Sequence, residues 1–89
     1  MDGTAEWGKA AGVKREIRAP ELAALVGCQP KQAWEWLSGR RYPYGPNLLR
    51  LSRALGRPAD AILRACELAR ERRLARLAAE KARKDAESS

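Results

Sequence analysis

The 89-residue chain has no histidine, no phenylalanine, a single methionine and two cysteines, Cys28 and Cys66. A structural or catalytic zinc site needs three or four Cys, His or carboxylate ligands at short spacing, and nothing here supplies them, so no metal is expected. The missing histidine removes the commonest general acid–base. No glycine-rich phosphate loop or recognisable pair of catalytic acids takes its place, so neither an enzyme nor a cofactor is expected, nor a small-molecule ligand. No stretch approaches the roughly 18 apolar residues that a membrane span requires. The opening segment, Met1 to Trp7, lacks a positive start followed by an apolar run. The expectation is a cytoplasmic protein whose two thiols are reduced and buried. Valine and isoleucine are scarce, and no segment alternates apolar and polar residues long enough to read as a strand.

What is present is helical and basic. Apolar residues make up 45% of the chain and are mostly Ala and Leu, both strong helix formers. Lys and Arg total 18 against 11 Asp and Glu, giving a net charge of +7. A small basic domain suits a polyanion, because phosphate neutralisation drives non-specific nucleic-acid affinity. A basic membrane-surface helix is disfavoured, since the C-terminal region has few bulky apolar residues to insert. The length supports one core.

Pro, Gly and apolar spacing divide the chain into five helices. A short one is expected over about Glu6 to Arg15, weakened by Gly8 and Gly12 and preceded by a frayed end over residues 1–5. The second runs from about Ala19 to Val26, with Pro20 in its first turn, an apolar stripe of Leu22, Leu25 and Val26, and Gly27 as its stop. The third runs from about Pro30 to Ser38, with Ala33, Trp36 and Leu37 on one face. Two prolines and a glycine make residues 40–46 a loop. The fourth spans about Asn47 to Leu55 and ends at Gly56. A fifth opens at Pro58 and can continue to about Lys84, with Ile62, Leu63 and Cys66 reaching the core.

The expected architecture is therefore all-α, a compact bundle with an extended basic C-terminal helix. Residues 1–66 form the main unit and residues 67–89 a basic extension. Residues 64–89 carry eight Lys and Arg, among them Arg70, Arg72, Arg73 and Arg76. They read as a solvated helix with Glu–Arg pairs, a coiled-coil fragment through Leu63, Leu74 and Leu77, or added phosphate contacts. The expectation adopted is a partly ordered basic helix that assists dimerisation.

Two short helices joined by a tight glycine-containing turn, the second opening with polar and basic residues, have the form of a helix-turn-helix. The stretch IRAPELAALVGCQPKQAWEWLSGRRYPYGPNLLRLSRALG, beginning at Ile17, resembles the lambda-repressor/Cro-like (Xre-like) family. Glu21, Leu22, Ala23, Gly27, Trp36, Gly39, Arg41, Pro43, Asn47, Leu48, Leu51 and Leu55 fall on family positions without a gap. The likeness covers about half the chain, and residues 1–16 lie outside it. Arg18 replaces the usual Ser or Thr cap, and Pro30 replaces a polar residue often used to read bases.

The resemblance implies a sequence-specific DNA-binding transcriptional regulator, a repressor of phage, prophage or toxin–antitoxin type, acting as a homodimer on double-stranded DNA. It implies base contacts from Gln29, Lys31, Gln32, Trp34 and Glu35 in the major groove. It implies phosphate contacts from Arg18, Ser38, Arg40, Arg41 and Asn47. Trp36 reads as core. Trp34 reads either as a DNA contact or as a ring packed on the end of the second helix. Two other functions fit the same residues: a module that binds polymerase or a toxin, and a phage recombination-directing factor.

Overall fold

The computed structural model describes residues 4–13 and 16–88. Five helices follow in order: α1 Thr4–Ala11, α2 Ala19–Val26, α3 Pro30–Leu37, α4 Gly45–Leu55 and α5 Ala59–Ser88. Among the described residues there is no strand, as the scarcity of β-branched residues leads one to expect.

Local chemistry explains most of the boundaries. Prolines stand in the first turns of α2, α3 and α4, where the missing N–H has no intrahelical partner to lose. Helix α2 ends where Gly27 turns left-handed at φ 82° and its N–H reaches the Ala23 carbonyl, the conformation that a residue without Cβ adopts at least cost. Arg18 stands at the N-cap of α2 without a side-chain capping bond, as its replacement of Ser or Thr implies.

Boundaries of α1, α4 and α5 depart from expectation, and α1 already begins at Thr4, within the end expected to be frayed. Helix α1 stops at Ala11, because Gly12 takes φ 88° and its N–H turns back to the Lys9 carbonyl at 3.0 Å. Lys14 and Arg15, placed in that helix by the sequence, lie outside the described residues. Helix α4 begins at Gly45, not Asn47, because Pro46 in a first turn starts a helix as readily as it interrupts one. Helix α5 extends to Ser88, past the end expected at about Lys84.

The core is one cluster fed by every helix. Trp7 and Ala11 of α1, Leu22, Ala23 and Val26 of α2, and Ala33, Trp36 and Leu37 of α3 meet Leu51 of α4 and Ile62, Ala65 and Cys66 of α5. Ile17, from the α1–α2 connection, completes it. Leu25, which the apolar stripe of α2 places inward, is instead exposed, as is Leu49 of α4. Helix α1 packs mainly on α5, and α2 mainly on α3. The Arg57 Nε–H donates to the Ala11 carbonyl at 3.0 Å, tying the α4–α5 turn to the open C-terminal end of α1. Cys66 is fully buried, as expected; Cys28 is only half-buried, and both thiols are free. Burial pushes the Cys66 thiol up to about 11. The neighbouring Trp7 indole pulls the other way, although its N–H forms no well-shaped hydrogen bond.

Candidate nucleic-acid interface

Helices α2 and α3 are joined by a short turn, Gly27 to Gln29, and their mutual packing fixes the direction of α3. Ala33, Trp36 and Leu37 anchor one side of α3 in the core. The other side, Gln29, Lys31, Gln32 and Glu35, is thereby turned outward (the two faces follow from the 3.6-residue period). Gln29 and Lys31 are exposed, and Gln32 and Glu35 are half-buried.

The connection after α3 folds back on it. The Arg40 and Arg41 N–H groups donate to the Glu35 carbonyl at 2.9 and 3.2 Å, and the Ser38 hydroxyl donates to the same oxygen at 3.3 Å. These bonds satisfy the C-terminal end of the helix and hold two exposed arginines beside its last turn. The Arg41 Nε lies 3.4 Å from a Glu35 carboxylate oxygen. The Arg40 guanidinium stacks over the Trp34 ring, 4.3 Å from its centroid.

Gly39 then brings α5 close. It adopts φ 76°, and a Cβ there would come within 2.2 Å of the Arg70 backbone nitrogen. Only a residue without a side chain lets α5 pass the end of α3 at this distance. Two grooves lie beside this crossing, and Arg73 lines both. The larger, about 920 Å³, is lined by Gln29, Lys31, Gln32 and Glu35 of α3, by Arg40, Arg41 and Asn47, and by Arg70 and Arg73 of α5. The smaller, about 460 Å³, lies between Trp34, Leu37, Ser38 and Arg40 on one side and Arg72, Arg73, Arg76 and Leu77 on the other.

The structure thus gathers four of the expected base-contacting residues in one groove with three of the expected phosphate contacts. It separates the others. Trp34, 46% exposed, and Ser38 face the second groove, which α5 also lines. Arg18 lines neither groove; it sits at the start of α2 with its guanidinium 4.0 Å from Glu16. The arginines of α5, for which the sequence leaves added phosphate contacts as one of three readings, line both grooves. Their signal was the core stripe itself: Ile62, Cys66 and Ala69 continued at helical spacing lead to Arg73 and Arg76.

Electrostatically the two grooves form one basic face. Lys31, Arg40, Arg41, Arg70, Arg72, Arg73 and Arg76 line them, against Glu35 and Glu80. The Arg41 side of the Arg41–Glu35 pair is open to solvent, and surface ion pairs contribute about 0–1 kcal/mol, so the guanidinium can exchange that carboxylate for another anion at modest cost. Among the described residues no helix is long and apolar enough to cross a membrane. No family model matches the chain, and neither a curated protein nor a solved structure matches it.

Proposed function

We propose that the protein is a sequence-specific DNA-binding regulator of transcription that inserts α3 into the major groove. The observation that carries this reading is the convergence of polar α3 side chains and loop arginines on one open basic groove. An α-helix fits the major groove, where every base pair presents a distinct pattern of donors and acceptors. Lys31 suits guanine O6 or N7, Gln29 and Gln32 suit an adenine edge, and Glu35 accepts from a cytosine amine. Arg40, Arg41 and Asn47 bind backbone phosphates and set the register, with Ser38 and Arg18 contacting the backbone further out. Pro30 fixes the first turn of α3 and offers no donor of its own.

The protein acts as a homodimer in the cytoplasm. It places two copies of α3 about 34 Å apart on an inverted repeat and represses by occupying the operator. Selection of bound sequences from a random duplex pool tests this. An enriched inverted repeat with half-sites about one turn apart is expected; a single enriched half-site would keep the regulator and remove the dimer. Absence of enrichment at physiological salt, with the protein folded, would turn the reading to a protein-binding module. The half-exposed Trp34 beside Leu77 would then be its docking surface.

A further inference from the structure

Helix α5 has more length than the core uses. Its last buried residue among those described is Cys66, and every described side chain from Leu74 to Glu87 is exposed. A helix that continues after its core contacts end must be held by its own propensity or occupied by a partner. A coiled-coil partner requires apolar a and d positions over three or more heptads. Leu74 and Leu77, the only leucines after Leu68, do not make such a seam.

What α5 does offer is placed charge. The close crossing at Gly39 sets Arg70 and Arg73 into the same groove as Gln29, Lys31 and Gln32. One turn on, Arg76 faces the second groove with Arg73, beside the Trp34–Arg40 stack. Arg73 lines both grooves, and its Nε is buried with no hydrogen-bond partner. A buried N–H without an acceptor is costly, and a phosphate oxygen beside the guanidinium would satisfy it. The spacing Arg70, Arg73, Arg76 puts the three on one side of the helix, each about 4.5 Å further along its axis at 1.5 Å per residue. A nucleic-acid strand spaces its phosphates on a comparable scale, and a row of guanidinium groups meets them with charge-assisted, often bidentate hydrogen bonds.

From this juxtaposition we infer that α5 is part of the DNA interface: Arg70, Arg73 and Arg76 clamp the phosphate backbone that flanks the bases facing α3. The ligand is the duplex backbone. The contact is sequence-independent, and it lengthens the footprint beyond what α3 and its loop cover. This inference rests on the proposed function.

The test measures binding of the full-length protein to a duplex across a salt series. Five chains are compared: wild type, Arg70→Gln/Arg73→Gln/Arg76→Gln, Arg70→Gln/Arg76→Gln, Arg40→Gln/Arg41→Gln, and a charge-matched control, Arg50→Gln/Arg53→Gln/Arg64→Gln. The control residues are exposed and line neither groove. Glutamine keeps helix propensity, and circular dichroism confirms that each chain remains helical. The Arg70→Gln/Arg76→Gln chain, which keeps half-buried Arg73, guards against a packing effect.

Each lost phosphate contact lowers the slope of log K against log salt by about 0.9. The α5 triple variant is therefore expected to lose roughly two to three slope units and the double variant roughly two, with the control unchanged within about half a unit. An unchanged slope in the α5 variants alongside a reduced one in Arg40→Gln/Arg41→Gln overturns the clamp and leaves the proposed function standing. An equal reduction in the control overturns it as well, reducing the effect to bulk charge. Wild type that binds no duplex overturns the clamp and the function together.

Discussion

The two ends of α5 differ in composition, the first mostly apolar and the second mostly charged, and they live in different surroundings. From Ala59 to Ala69 the helix gives Ile62, Ala65 and Cys66 to the core and packs against α1, α3 and α4. From Arg70 onward it buries almost nothing, yet it remains helical to Ser88. At 1.5 Å per residue its 30 residues span about 45 Å, which accounts for most of the 51 Å long dimension of the molecule. Burial stabilises the first part. The second relies on the propensity of Ala, Leu, Arg, Glu and Lys and on side-chain pairs three or four residues apart. One end is an element of the fold, and the other is free to serve a surface.

The contrast is broken most strongly at the α1 contact. Trp7→Ala removes a side chain only 1% exposed and should cost about 3–5 kcal/mol. Leu77→Ala, at a residue 49% exposed, should change stability by no more than about 0.5 kcal/mol. Urea unfolding followed by circular dichroism separates the two. Equal losses would mean that the distal helix carries tertiary structure.

The next effect is pH-dependent and confined to the buried end. The Cys66 thiol titrates near 11 in the folded protein and near its ordinary value of 9.0 once unfolded. The raised value means that the folded state holds the proton more tightly. The contribution is complete below pH 9 and is lost as pH rises towards 11, by about 2 kcal/mol. Other groups also titrate in this range, so the readout is the difference in unfolding free energy between wild type and Cys66→Ala. That difference should shrink between pH 9 and pH 11. A constant difference would mean that the thiol is not desolvated as described.

Smaller effects belong to the groove. Lys31→Ala should cost about 1–3 kcal/mol on the selected site and relax preference at one base pair. A uniform loss across all sequences would make Lys31 a phosphate contact. Smallest is an optical effect. Trp7 and Trp36 are buried, and Trp34 is 46% exposed, so Trp34→Phe should remove most acrylamide-quenchable fluorescence and leave stability within about 0.5 kcal/mol of wild type. Quenching that persists in this variant would place another tryptophan at the surface.

The parts legible in the sequence are those decided locally. Helix α2 was readable at both ends, because Pro20 and Gly27 punctuate it, and α3 was readable to within one residue. The polar opening of α3 follows from the positions of Ala33, Trp36 and Leu37 alone. What escaped was tertiary or ambiguous. Pro46 reads equally as a loop breaker and as a first-turn residue, so α4 was begun too late. Leu25 and Leu49 lie near the apolar stripes of their helices but face no neighbour. The core stripe of α5 points to the side that carries Arg73 and Arg76, but their meeting with α3 depends on the close crossing that Gly39 admits, which is a tertiary contact. Trp34 shares a groove with α5 for the same reason.

The claim that α3 reads DNA from this groove is tested most directly by titrating the isotopically labelled protein with a duplex bearing the selected site, following backbone amides by NMR. The account predicts the largest shifts at Gln29 to Glu35 and at Arg40 and Arg41, with the amides of α1 nearly still. Shifts concentrated on α1 or α4, with α3 unperturbed, would contradict it.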